Sequence, residues 1–185
     1  MSVREKYAPG SASGASVVKN GDVWTLVLIR ELRHSPAKVW DALTDPAQLR
    51  EWAPFDADRN LGVTGPAKLS TVATPTVNVS NISVKRAEPP RLLEYDWGGN
   101  DMLWELEPVA AGTRLKLWHN INRNFIAMGA AGWHISFDVL DRFLSGEPIG
   151  RLVGGEAMKF DGWKRLHTEY QKQFNAESTS TSSTD

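Results

Sequence analysis

The residues that stand out for chemistry in this chain, which has no cysteine, are four histidines (His34, His119, His134 and His167) and eight tryptophans, Trp24, Trp40, Trp52, Trp97, Trp104, Trp118, Trp133 and Trp163. Without cysteine there is no thiolate nucleophile, disulfide, Cys-ligated zinc or iron–sulfur cluster. The histidines never stand at metal-ligand spacing, and no G-x-G-x-x-G, G-x-x-x-x-G-K-[ST] or H-E-x-x-H string occurs, so neither a metal nor a cofactor is expected. Gly10-Ser11-Ala12-Ser13-Gly14 resembles a nucleophile elbow only superficially, since its middle residue is Ala and no strand is predicted before it. What remains is the chemistry of a ring-lined space, in which aromatic walls bury an organic molecule and a weak acid or base stands among them.

Period-two alternation selects the residues that turn inward. In Thr113–Ile121 the face of Thr113, Leu115, Leu117, His119 and Ile121 is more apolar than that of Arg114, Lys116, Trp118 and Asn120, so His119 goes in with it. By the same test Leu93, Tyr95 and Trp97 face inward, as do Met102, Trp104 and Leu106. Trp133 and Phe137 belong to the apolar stripe of a long helix. His119 and Tyr95 are the candidates for proton transfer, and His119 could also donate a hydrogen bond to a ligand carbonyl. The alternative is a His119 satisfied by neighbouring backbone or by Tyr95. His134 shares the polar side of its helix with Asp138 and Asp141 and reads as solvated or ion-paired, while His167 sits among the aromatics that join the last helix to the body. Glu94, Asp96, Glu105 and Glu107 fall on the outward register, where solvation is the ordinary explanation.

The elements that must hold these residues fall into three regimes. A strand is predicted at Val23–Leu32, followed by short helices over Pro36–Leu43 and from Pro46 to about Trp52, each opened by a cap-plus-proline pair, Ser35-Pro36 and Asp45-Pro46. From about residue 59 to 121 the period is two, with strands expected at Arg59–Val63, Lys68–Thr74, Val77–Arg86, Leu92–Trp97, Met102–Glu107 and Thr113–Ile121. The short Gly/Pro-rich spacers between them favour antiparallel hairpins. A long helix follows at Gly129–Ser145, and a last one at Glu156–Phe174 carries Phe160, Trp163, Leu166, Tyr170 and Phe174 on one face.

Composition narrows the partners. Lys plus Arg is 21 against 22 for Asp plus Glu, a net charge of -1, so nothing favours nucleic acid or an anionic bilayer. No apolar run approaches a membrane span, and Met1–Gly10 has no signal-peptide core, which makes the cytoplasm the expected location and rules against membrane insertion. Residues 1–20 and 176–185 are small and polar and read as a flexible segment and a disordered tail, leaving a domain over 21–146 and a helical extension over 147–175.

Several strings in this order are similar to one family. Arg33-His34-Ser35-Pro36-Ala37-Lys38-Val39-Trp40-Asp41-Ala42-Leu43-Thr44-Asp45-Pro46, then Leu49 and Trp52, resembles the opening of the START-like (SRPBCC) superfamily, and within it the AHSA1-like homologues of the Hsp90-ATPase activator. Glu88-Pro89-Pro90-Arg91-Leu92-Leu93-Glu94-Tyr95, Leu106-Glu107-Pro108, Gly112-Thr113-Arg114-Leu115 and Ala131-Gly132-Trp133-His134 extend the likeness over about residues 22–146. The resemblance implies an α+β helix-grip (START/Bet v 1-like) fold, with a curved antiparallel sheet wrapped around a long C-terminal helix and two short helices after the first strand. It also implies a cavity between sheet and helix, with Trp52 and Phe55 at its mouth. The candidate lining is therefore Trp52, Phe55, Tyr95, Trp97, Met102, Trp104, His119, Trp133 and Phe137. The expected activity is binding of a small hydrophobic or aromatic molecule, such as a lipid or polyketide-like metabolite. A cyclase/aromatase-type enzyme and a regulator of an Hsp90-type chaperone are the alternatives that the family carries. The final helix either caps the cavity or docks a second copy in a homodimer.

Overall fold

The computed structural model describes residues 1–72 and 76–180. Two strands lead, β1 (Ala15–Asn20) and β2 (Val23–Leu32), and the short helices α1 (Pro36–Thr44) and α2 (Pro46–Trp52) follow. Their starts are set locally: Ser35 Oγ accepts from the Lys38 amide at 3.3 Å and Asp45 Oδ1 from the Ala47 amide at 3.1 Å, with a proline next in each case. Then come β3 (Phe55–Ala57), β4 (Gly65–Thr71), β5 (Asn78–Val84), β6 (Arg86–Glu88), β7 (Leu92–Trp97), β8 (Asn100–Val109) and β9 (Gly112–Asn120). The long helix α3 (Ile126–Leu144), the five-residue α4 (Gly154–Met158) and α5 (Asp161–Ser180) close the chain.

All pairing is antiparallel, in a six-stranded sheet ordered β1-β2-β9-β8-β7-β6 and a three-stranded sheet ordered β3-β4-β5. The curved sheet grips α3, whose Trp133 and Phe137 meet the Trp104 ring of β8 and whose Ile135, Val139 and Leu140 are also buried. This is the helix-grip architecture that the resemblance implies. The two short helices follow the second strand rather than the first, because β1 precedes Val23.

Several expectations about the chain change. The N-terminal residues are not a loose segment. Gly14 at φ 72 turns the backbone so that its carbonyl accepts from the Ile29 amide at 2.7 Å, and β1 then completes the sheet edge from Ala15↔Leu28 to Asn20↔Val23. A Cβ at Gly14 would lie 2.5 Å from the Ile29 carbonyl oxygen, so only glycine makes that turn. Upstream, Tyr7 is buried and its hydroxyl donates to Asp138, while the Arg4 guanidinium donates to the carbonyls of Ile149, Gly150 and Arg151. Arg59–Val63 is a loop and not a strand. Its carbonyls and those just after it are satisfied by one side chain, as Arg59 donates to Asn60, Val63, Gly65 and Pro66, which leaves no demand for a ladder. The expected strand over 77–86 divides at Lys85, where the chain leaves β4 and joins β7. The strand expected at Lys68–Thr74 is β4, whose end at Thr71 precedes residues 73–75; the part of that expectation on 73–74, with Pro75, lies outside the described residues.

The last helix is two, α4 and α5, and residues 176–180, assigned to a tail by composition, continue α5; residues 181–185 lie outside the described residues. The aromatic face of α5 packs on this chain's own body: Trp163, Leu166, Tyr170 and Phe174 are buried, and α5 lies against α3. That contact overturns the solvated reading of His134, while the ion-paired one is met by Asp138, whose carboxylate lies 3.8 Å from Nε2. The ring faces α5 rather than water, is 4% exposed, and its Nδ1 meets the Tyr170 hydroxyl at 2.8 Å. The same hydroxyl donates to the Ser13 carbonyl at 3.0 Å and accepts from the Ser13 amide at 3.2 Å, so one phenol ties α3, α5 and the N-terminal segment together. Burial lowers the His134 pKa. A Tyr170→Phe variant leaves the buried His134 ring and the two backbone groups of the exposed Ser13 without this partner, and urea denaturation should show it less stable by about 1–3 kcal/mol, chiefly through His134. An unchanged midpoint would mean that water replaces the hydroxyl at no cost.

A candidate ligand pocket beside His119

The candidate side chains beside the open space are placed by β7 and β9, which flank β8, and by one helix. Gly98 and Gly99, at φ 58 and 82, form the two-residue turn between β7 and β8, and this geometry sets Trp97 opposite Asn100 at the mouth of the hairpin. The Trp97 indole N–H donates to Thr71 Oγ1 at 2.8 Å and so pins the six-stranded sheet to the smaller one. On β9, His119 pairs in register with Leu26 on one side and Met102 on the other, which turns its ring toward α3 as the alternation requires. From α3, Trp133 reaches back to it.

The contact between these two rings decides what His119 can do. Trp133 Nε1 lies 3.0 Å from His119 Nδ1. An indole N–H can only donate, so Nδ1 is the acceptor and the neutral ring carries its proton on Nε2. Burial lowers the imidazole pKa from 6.5 to about 4. The Trp97 ring stacks on the other face of His119, with centroids 5.8 Å apart. His119 is therefore a neutral imidazole fixed in one tautomer, and among the described residues its Nε2–H has no hydrogen-bond partner although the atom is not sealed in the core.

Beyond these rings lies a pocket of about 520 Å³. Trp97, His119 and Trp133 form one wall; Gly129, Gly132 and Ser136 of α3 form another. The third comes from the segment Leu152–Met158 and Trp163 at the start of α5. The other six expected lining residues do not border it. Trp52, Phe55, Tyr95, Met102, Trp104 and Phe137 are each 0–1% exposed and close on one another, with Trp52 edge-on to Trp104 at 6.2 Å and Phe55 edge-on to Tyr95 at 6.2 Å. The inner half of the grip is filled by rings, and the open space is displaced to the end where the β7–β8 hairpin, the start of α3 and α4 meet. Tyr95 is therefore remote from the pocket, and burial holds its phenol well above the ordinary value, so it is not placed to transfer a proton there. The indole nitrogen of Trp104 is fully buried without a well-formed hydrogen bond.

The remaining polar candidates are structural. His34 Nε2 meets Asp141 at 3.1 Å, and His167 is half-buried with its ring 4.8 Å from that of Trp163. Of the outward acids, Glu94 pairs with Arg86 and Glu105 accepts from the Trp118 indole at 3.2 Å. No group of three metal-ligating side chains forms among the described residues, and no helix among them is long and apolar enough to cross a membrane.

Comparison with known proteins places this geometry in context. Residues 33–145 match the family described as Activator of Hsp90 ATPase homolog 1-like protein. No curated protein matches the chain. Among solved structures, a conserved protein of unknown function, EF2215 from Enterococcus faecalis, is similar with a TM-score of 0.66 and 13% identity, covering 86% of this chain and 89% of that one. CalU16 from Micromonospora echinospora has a TM-score of 0.59 at 20% identity, covering 92% and 98%. The AHSA1-like protein from Aeromonas hydrophila has a TM-score of 0.55 at 16% identity, covering 66% and 92%. At such identities the likeness is one of fold. The CalU16 match covers more of this chain than the family match does, so the residues after 145 have counterparts in at least one relative of this fold.

Proposed function

The chain belongs to the Activator of Hsp90 ATPase homolog 1-like family, and on that premise we propose that it binds a small hydrophobic or aromatic molecule in the pocket beside His119. The observation that carries this reading is His119 itself: a buried ring whose Nδ1 is occupied by Trp133 and whose Nε2–H is left for something the protein does not supply. Buried donors normally find partners, so a donor held open at an apolar pocket suits a ligand acceptor. The walls suit the rest of such a molecule, being mostly aromatic, aliphatic or glycine.

A second reading, chemistry of the cyclase or aromatase kind, draws on the same Nε2–H. A neutral imidazole with a pKa of about 4 polarises a carbonyl at neutral pH but has no readily given proton. Binding is thus the simpler use of the site.

Native mass spectrometry of protein purified gently from its own host is the direct test. A retained adduct is expected, lost on mild activation, whose mass identifies the ligand class. If the protein carries none and a panel of apolar and aromatic molecules produces neither a thermal shift nor quenching of tryptophan fluorescence, the binding reading fails.

A further inference from the structure

The pocket's walls say more about its ligand than that it is apolar. None of the residues bordering the pocket is Asp, Glu, Lys or Arg. Several of the charged residues next to them in the chain are engaged elsewhere. Arg151 pairs with Asp56 at 2.6 Å, Asp101 with Lys85 at 2.6 Å, and Lys159 with Glu156 at 3.3 Å, while Arg123 lies 5.3 Å over the Trp24 ring. The polar groups that remain at the walls are neutral: His119, Thr71, Asn100, Asn122 and Ser136. Thr71 is already used by the Trp97 indole, and the Asn122 side chain accepts from the Asn124 amide at 2.9 Å.

We infer that the site is built for an uncharged, planar aromatic molecule bearing a carbonyl-type hydrogen-bond acceptor, and that it discriminates against carboxylates of the same shape. The inference rests on the reading of this pocket as a small-molecule site and adds the ligand's charge and acceptor. Its physical basis is desolvation. An ionised carboxylate entering these walls gives up its water and finds no cation, whereas a ketone gives up one weak hydrogen bond and regains it at His119 Nε2–H. A planar aromatic ligand suits the three indole rings that border the pocket, Trp97, Trp133 and Trp163, since flat rings pack favourably on other rings both stacked and edge-on.

His119 also keeps the same charge through the neutral range. Its cross-strand neighbours Leu26 and Met102 and its ring neighbours Trp97 and Trp133 carry no titratable group, and burial lowers its pKa to about 4. His119 therefore adds no pH dependence to binding between pH 6 and 8.

The test compares three naphthalenes of one shape by calorimetry on the full chain: 2-acetylnaphthalene, 2-naphthoate and 2-ethylnaphthalene. At pH 8 the ketone should bind tightest, the hydrocarbon about tenfold more weakly for lack of an acceptor, and the carboxylate at least roughly 100-fold more weakly than the ketone. Lowering the pH from 8 to 6 should tighten the acid about tenfold per unit, as its neutral form becomes available, and leave the ketone unchanged. A carboxylate that binds at pH 8 as well as the ketone overturns the charge discrimination while leaving the pocket a binding site. A hydrocarbon equal to the ketone overturns the acceptor role of the ligand. Failure of all three to bind overturns the binding reading itself and this inference with it.

Discussion

Replacing Gly132 by phenylalanine is expected to cost at least about 100-fold in affinity for any ligand of this pocket, without lowering thermal stability. Gly132 stands in the middle of α3 and borders the pocket, and a Cβ built on it meets nothing within 4 Å. The direction a side chain would take is therefore into the space that a ligand would fill. A helix interior ordinarily disfavours glycine by about 1 kcal/mol relative to alanine. Gly132→Ala should accordingly raise the melting temperature by about 2–4 °C and leave most of the pocket open, while Gly132→Phe adds the ring that closes it. The pair separates function from fold: calorimetric titration reads the affinity, and a thermal melt reads the stability. Full binding by a well-folded Gly132→Phe protein would mean that the ligand sits elsewhere. The contrast with Gly129 is instructive. There a Cβ would come within 2.6 Å of the end of the Ile121 side chain, which would have to move aside, so that position makes a less direct probe.

Much of the fold is legible in the sequence because the deciding interactions are local. Ser35-Pro36 and Asp45-Pro46 start helices by hydrogen bonds within three residues, and β2, β7 and α2 keep the predicted limits. What was not legible is determined at long range. Nothing near Ala15–Asn20 announces a strand; it exists because the edge of β2 needs partners. The carbonyls of Asn60, Val63, Gly65 and Pro66 are satisfied by the reach of Arg59, which no periodicity encodes. The site divides in the same way. Alternation separates inward from outward residues, and all nine candidates do point inward, but it cannot say which part of the interior is filled. That depends on the summed volumes of Trp52, Phe55, Tyr95, Trp104 and Phe137, which interlock and leave only Trp97, His119 and Trp133 at an open surface. The missing wall, Leu152–Met158 and Trp163, lies beyond the strands and is brought in by α4 and α5. One signal for it stands in the sequence: Gly129, Gly132 and Ser136 lie three and four residues apart, a run of small side chains on one side of a helix that is otherwise wide and apolar.

Acid should destabilise the protein through His119, and by an amount large for a single side chain. In the unfolded chain the imidazole titrates near 6.5, whereas burial holds it at about 4 in the folded protein. Below pH 6.5 the unfolded state takes up a proton that the folded state refuses, so stability falls with pH by about 1.4 kcal/mol per unit. The slope ends near pH 4, where the folded ring protonates too, after a loss of about 3 kcal/mol; above pH 6.5 this contribution is fully present. His119→Gln removes the titration and keeps a carbonyl oxygen that can accept from the Trp133 indole. Urea denaturation at a series of pH values should therefore give a wild-type curve that falls more steeply than the variant's between pH 6.5 and 4.5, with the two parallel above pH 7. His134, lowered in the same direction by its own burial, titrates in both proteins and cancels in the difference. The result also bears on what the pocket does. A ring that refuses a proton down to pH 4 presents at neutral pH a fixed Nε2–H donor, which recognises an acceptor and polarises it. Parallel curves throughout would mean that the folded ring titrates normally, and the same residue would then supply an acid near pH 6.5, shifting the balance from binding toward proton-transfer catalysis.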